Sequence, residues 1–394
     1  MDYTEVSTTT SSMDECLFQS PSIEASLKDA NRLFFLGRYL QALAIYEKLE
    51  NSIQEEKNPS LKSEILLKMG INYYKQGLFT KSIQKVEKCL SIQKKLEKQD
   101  QEILTKCYCC LADTHILLDN YKQATECLEE AIKISQKCEN NKVRVTHLGV
   151  TENQMGELLM RQGKYQQSLD KLEKALDLLS PFPDSLEISK AYYDLGTLYN
   201  FLANYTQALL CLKRALDIRE KVYGRRHPEV AMVQNIIGNV LLNQGKYKEA
   251  MNYYESSLKT RLEYLGNDHP SVASSYNNIA IAYYDQGEYT FSLINYKRSL
   301  EIRCVCYGEN HPDVAASYNN IGALYYDLKK YDLALENYEK ALAIRLRYYG
   351  ENHPDIAASY NNLANVYQDR HDNEKSLENH EKSLKIKKMC FGEK

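Results

Sequence analysis

The stretch His311–Gly350, HPDVAASYNNIGALYYDLKKYDLALENYEKALAIRLRYYG, decides the fold, because the next one, HPDIAASYNNLANVYQDRHDNEKSLENHEKSLKIKKMCFG, repeats it almost residue for residue. The dipeptide His-Pro falls at His227-Pro228, His269-Pro270, His311-Pro312 and His353-Pro354, so each step is 42 residues. Self-similarity at such a period marks a repeat architecture. The chain length of 394 residues therefore counts repeats rather than domains, since the core of an array grows along one axis.

Working outward from this stretch, one small residue sets all the units in a common register: Ala30, Gly70, Ala112, Gly156, Gly196, Gly238, Ala280, Gly322 and Ala364. Counted as the eighth of its unit, it is followed three places later by a bulky residue, such as Tyr283 or Tyr325, and twelve places later by a second small one, such as Ser292 or Ala334. A further bulky residue at the twenty-fourth place (Tyr254, Tyr296, Tyr338) precedes Ala or Ser at the twenty-seventh. Spacings of three and four hold these residues on one face of each of two helices. Each unit is thus a helix hairpin whose apolar face needs the next unit. The expected fold is all-α, a right-handed α-solenoid (superhelix) of about nine hairpins, with repeats at 23–58, 63–99, 105–140, 149–180, 189–223, 231–265, 273–307, 315–349 and 357–391.

The linkers have a local reading. In YGENHPD, Gly350, like Gly224, Gly266 and Gly308, suits a left-handed helix end, and the prolines suit the first helical position, where a missing N–H costs nothing. One His per linker, with no second ligand nearby, reads as a cap or surface residue rather than a metal ligand or base. Arg219, Arg261, Arg303 and Arg345 recur at the ends of second helices and read as stacking residues, paired with acids such as Asp217 or Glu301.

Residues 1–22 are rich in Ser and Thr without helical periodicity, so they are expected to form a disordered tail ahead of an array at 23–394. A net charge of −3 carries no basic footprint for nucleic acid or an anionic membrane. No long apolar run predicts membrane insertion, and the first residues carry acids where a signal peptide is basic then apolar. Eleven irregularly spaced Cys fit a reducing compartment, and a cytoplasmic location is expected. The dense group Cys107, Cys109 and Cys110 reads as helix packing, since residue 109 leaves the face shared by 107 and 110. No catalytic motif is present, so neither catalytic residues, cofactor nor metal is expected.

The repeated NNIA, NNIG and NNLA with their following Tyr, the ALxIR-like helix ends and the YGENHPD linkers resemble the tetratricopeptide repeat superfamily, nearest the 42-residue repeats of kinesin light chains. The resemblance spans about residues 23–394. It implies that the first helix of each unit lines a concave groove, with the fifth, sixth, ninth, twelfth and thirteenth positions pointing into it. At the fifth and sixth stand Asn277-Asn278, Asn319-Asn320 and Asn361-Asn362, with Asn235 at the fifth place one unit earlier. Tyr284, Tyr326 and Gln368 hold the twelfth place. An amide offers both donor and acceptor to an extended peptide's backbone; the same amides could instead bond between neighbouring helices. Repeats that hold carboxylate-ended chaperone tails add Lys or Arg, which Ser274, Ala316 and Ala358 at the second place lack.

The expected function is therefore a non-catalytic protein–protein interaction scaffold or adaptor. It holds an extended partner segment that is neutral or carries some basic residues, in kinesin light chain-like cargo or complex assembly. The long heptad coiled coil of kinesin light chains is missing from the start of this sequence. The alternative is the regulatory or sensor portion of a larger enzyme or signalling protein, suggested by an end at CFGEK without a polar cap, which also leaves self-association through that end open. An RNA-reading helical repeat is disfavoured by the acidic balance.

Overall fold

The computed structural model describes residues 22–391, in eighteen α-helices with no strand among the described residues. They form nine antiparallel hairpins: α1 (Ile23–Phe35) with α2 (Tyr39–Ser52), α3 (Pro59–Lys75) with α4 (Phe79–Gln93), and α5 (Gln101–Leu117) with α6 (Tyr121–Gln136). Next come α7 (Asn141–Arg161) with α8 (Tyr165–Leu179), α9 (Leu186–Phe201) with α10 (Tyr205–Tyr223), and α11 (Pro228–Asn243) with α12 (Tyr247–Leu265). The last are α13 (Pro270–Asp285) with α14 (Tyr289–Tyr307), α15 (Pro312–Asp327) with α16 (Tyr331–Tyr349), and α17 (Pro354–Asp369) with α18 (Asn373–Phe391). The tail expected over 1–22 lies outside the described residues, except Ser22, whose side chain caps α1. From the second repeat on, first helices begin three to eight residues ahead of the expected repeat starts, because the linker prolines open the helix and α7 carries extra turns. No helix among the described residues is long and apolar enough to cross a membrane.

The small residue of each unit is where its two helices meet. A Cβ added at Gly238 would stand 2.5 Å from the Tyr254 ring, so glycine lets the bulky residue of the twenty-fourth place lie flat against the first helix. Tyr254 is fully buried there. The linkers then set each hairpin on the next. Nδ1 of His227, His269 and His311 each accepts the backbone N–H two residues on at 3.1 Å, and that of His353 at 3.2 Å, which caps α11, α13, α15 and α17. The rings of His227 and His353 also stack on Tyr223 and Tyr349 at 4.2 and 3.8 Å. The linker glycines depart from the expected left-handed helix end. Gly308 has φ 80 and ψ 163, an extended mirror-image conformation that is also glycine's own, because the chain must straighten into the next cap rather than curl.

The period-42 arginines act as staples. Arg261, Arg303 and Arg345 each donate to a carbonyl ten residues on and a serine hydroxyl fourteen residues on, both in the first helix of the following repeat. The expected pairing with Glu301 does not occur, since Arg298 takes that carboxylate.

Each second helix packs on the first helix of the next repeat; first helices of successive repeats also pack on one another whereas second helices do so little or not at all, so odd-numbered helices form the inner layer and even-numbered ones the outer. That inner packing is close from α3 to α9 and loosens beyond, so the array curls most tightly in its first half. The curl brings the first superhelical turn against the second. Nε2 of His227 lies 3.0 Å from the Phe35 carbonyl, Phe35 packs on Tyr223 at 5.0 Å, and Lys75 reaches Glu229 at 2.5 Å. One repeat further along the seam, Pro270 lies against Gly77 and His269 faces the Lys75 carbonyl. At the third such meeting the turns part, leaving a cleft of about 680 Å³ between Leu118 and Asp119 on one side and Tyr307 and His311 on the other.

Candidate binding surface

The concave layer has two chemically distinct stretches. From α11 to α17 it carries amide rungs. Asn320 Nδ2 donates to Asn277 Oδ1 at 3.0 Å, Asn362 Nδ2 to Asn319 Oδ1 at 2.8 Å, and Asn278 Nδ2 to Asn235 and Asn239 at 3.2 Å each. The sixth place of one repeat thus bonds the fifth of the repeat before it. A parallel row joins the twelfth place to the thirteenth of the next repeat: Tyr326 donates to Asp369 at 2.7 Å, Tyr284 donates to Asp327, and Asn243 donates to Asn200 at 3.0 Å. The structure therefore gathers Asn235, Asn277, Asn278, Asn319, Asn320 and Asn362 into one row and Tyr284 and Tyr326 into another. Asn361 is half-buried outside the rungs, and Gln368 is exposed. Each rung uses one donor of an amide and one acceptor of its neighbour, leaving the sixth-place oxygen and the fifth-place N–H₂ uncommitted. Burial, with the hydrogen bond to Asp369 as the larger cause, pushes the Tyr326 hydroxyl up to about 12, so it stays a donor at any physiological pH.

The inner surface of the first half, which the sequence reading left unassigned, is charged. Lys190, on α9, reaches Glu157 of α7 and Asp194 of its own helix at 3.0 Å each. Burial alone would lower this ammonium, but Asp194, Glu157 and Asp113 hold it well above its ordinary value. Asn153 Nδ2 donates to Asp194 at 2.5 Å, and Gln154 Nε2 donates to Asp113 at 2.7 Å. Asp113 meets no cation at ion-pair distance among the described residues, and burial, with Glu157 and Asp194 adding to it, pushes its carboxyl up to about 6 against the pull of Lys190. These residues occupy the second, fifth, sixth and ninth places of their repeats. The signal was present in the register and needed only to be applied to the looser early units.

Above this cluster lies a chamber of about 510 Å³. Its walls are Phe34, Tyr39, Val143, Val150, Leu186 and Tyr223, and the seam between α1 and α11 closes one side. At that seam burial would raise the Glu229 carboxyl, yet Lys75 and Arg219 outweigh it and hold the group at about 2. Of the thiols, Cys109 faces the chamber, while Cys107 and Cys110 are buried, Cys107 3.4 Å from Cys89. Among the described residues no cluster of His, Cys, Asp or Glu is placed to hold a metal ion.

Stacked helix hairpins with a polar concave layer and an apolar interior between helices define a helical-repeat solenoid. The chain belongs to the tetratricopeptide repeat family, whose profile matches residues 61–137, 147–221, 198–263, 229–304, 271–346 and 313–389. Among solved structures it resembles a Rap protein complexed with competence and sporulation factor, at 15% identity and a TM-score of 0.62, over 93% of this chain and 98% of that one. It also resembles a signal transduction ATPase with numerous domains bearing a tetratricopeptide repeat sensor, from Pyrococcus horikoshii, at 15% identity and a TM-score of 0.57, over 93% of this chain and 53% of that one. Kinesin light chain-type repeats from Podosopora anserina align at 22% identity with a TM-score of 0.46, over 54% of this chain and 99% of theirs. At these identities the likeness concerns the fold. No curated protein matches the sequence.

Proposed function

We propose that the array over residues 23–394 is a non-catalytic scaffold or adaptor of the cytoplasm that holds an extended segment of a partner protein along its concave face. The observation that carries this reading is the amide row of α11 to α17. It presents a free acceptor and a free donor once per repeat, the pattern that backbone amides of an extended chain can meet. Within these repeats the second place holds Ser274, Ala316 and Ala358, so no cation there meets a terminal carboxylate, and the partner segment is internal rather than a chaperone tail. Assembly of a complex or attachment of cargo, as in the kinesin light chain-like reading, is the use that fits.

The test replaces Asn278, Asn320 and Asn362 together by Ala in the full chain and compares captured partners with wild type after circular dichroism confirms the fold. At about 0.5–1.5 kcal/mol per lost bond, three sites predict a loss of roughly tenfold or more in affinity. A folded variant that keeps every partner removes the groove reading.

A further inference from the structure

The curl of the array brings the end of each early hairpin against a His-Pro linker five repeats on, and the same parts meet each time. At the first rung of this seam Gly37 faces His227-Pro228, and His227 Nε2 lies 3.0 Å from the carbonyl of Phe35, two residues before that glycine. At the second, Gly77 faces Pro270, and His269 faces the carbonyl of Lys75, again two residues before. By the same step a third rung pairs Asp119 with Pro312 and His311 with the carbonyl of Leu117, but there the cleft of about 680 Å³ stands open. His311 is otherwise placed like the others: its Nδ1 caps α15 at 3.1 Å and its ring stacks on Tyr307 at 4.3 Å. Its side chain is 31% exposed, and its Nε2 makes no hydrogen bond among the described residues.

What differs is the residue at the end of the hairpin. Gly37, Gly77 and Asp119 hold the same place, all with positive φ, 75°, 74° and 57°. A Cβ at Gly37 would stand 2.9 Å from Pro228 and one at Gly77 3.6 Å from Pro270, so at both rungs the proline takes up the room beyond the first side-chain atom. Asp119 fills that room itself, its carboxylate tied to the Tyr121 hydroxyl at 2.7 Å. It lines the cleft together with Lys81 and Arg161 of its own turn and Asp313 of the other. Shutting the rung presses the Pro312 ring onto this carboxylate and strips its water, a cost that glycine does not have. We propose that the seam is a zipper whose first two rungs are shut and whose third is a strap poised to close, held off by the side chain of Asp119. Closure joins His311 Nε2 to the Leu117 carbonyl and draws Pro312, the first residue of α15, onto the end of α5. That helix carries Asn319, Asn320 and Tyr326, so the strap moves part of the amide track with respect to the first turn. The proposal goes beyond the groove reading and stands without it.

The experiment uses the full chain with spin-labelled amino acids encoded at Gln123 and Glu309, exposed places near the third rung, and reads the distance between them by pulsed electron paramagnetic resonance. Wild type is expected to hold a longer distance as its main population. Asp119→Gly is expected to raise the shorter population about threefold or more, as one added hydrogen bond allows. His311→Asn still caps α15 but has no Nε2, and added to the glycine variant it is expected to restore the longer distance. Asp119→Gly matching wild type overturns the strap, and so does a wild type already at the shorter distance. A shortening that His311→Asn leaves intact overturns the rung bond. Circular dichroism checks each fold. Should the glycine variant not fold, the reverse exchange decides. Gly77→Asp, with labels at the exposed Lys81 and Asn267, is expected to lengthen the distance across the second rung, and an unchanged distance there counts against the proposal.

Discussion

The two halves of the concave layer use the same places in the repeat and arrive at different chemistry. In the second half, Asn320 bonds Asn277 from the sixth place to the fifth of the repeat before, neutral to neutral. In the first half, the corresponding pair is Asp194 and Asn153, and the rung carries a charge. The difference grows at the ninth place, where Asp113 and Glu157 stand in the early units and Ile281 and Ala323 in the late ones. Curvature follows the same division: the inner helices crowd where they are charged and spread where they are neutral. A regular ladder can be extended repeat by repeat at constant pitch, whereas an ion cluster ties particular helices together and fixes a local bend. The first half is thus specified as one site and the second as a track.

The comparison can be broken most severely at Lys190. Lys190→Met removes the cation from between Glu157 and the buried Asp194; the lysine itself is about a third exposed, so the cost is below that of a fully buried pair, about 2–3 kcal/mol. Urea unfolding is expected to show the first half melting early while the second half retains its helicity. A variant as stable as wild type would mean that the cluster is solvated rather than buried.

A smaller effect is expected at the seam. Burial, with Arg261 adding to it, lowers the His269 imidazole from its ordinary value to about 4. The folded state therefore binds fewer protons than the unfolded chain between about pH 6.5 and 4, and stability falls as the pH drops through that window. His269→Gln is expected to flatten this part of the pH–stability curve by about 1–2 kcal/mol, read from denaturation midpoints at pH 7 and 4.5. An unaltered curve would place the loss elsewhere, for instance at His227, which is shifted in the same direction.

The smallest effect belongs to a single rung of the track. Tyr326→Phe deletes the bond to Asp369 without touching the ring's packing and should cost under about 1 kcal/mol, since the bond is exposed. Paired with Asp369→Ala in a double-mutant cycle, it should show a coupling of a few tenths of a kcal/mol, and a larger one would make the row a structural brace in its own right.

Much of this was legible in the sequence. The 42-residue step, the helix-starting prolines, the capping His and the meeting of Gly238 with Tyr254 all depend on residues close in sequence or one helix apart, where period and size decide the outcome. For the repeated amides of the second half, the sequence left open whether Asn278 faces a ligand or bonds a neighbouring helix; the structure shows a bond to Asn235. The charged cluster was missed although the register reaches the early units, because Asp113, Glu157, Asp194 and Lys190 stand at the ninth, sixth and second places of three units without recurring as a set from one unit to the next, so no period marks them.

Composition and period by themselves determined that this chain is an all-α array and which residues pack each hairpin; which places look inward came from the resemblance to tetratricopeptide repeats. Only the tertiary structure decided how tightly the array winds. The angle between neighbouring repeats is a small quantity set by every side chain at the interface, and it accumulates over five repeats until Phe35 meets His227 and a chamber closes over Lys190. No local pattern records that sum, so the seam and the chamber it encloses could be found only in three dimensions.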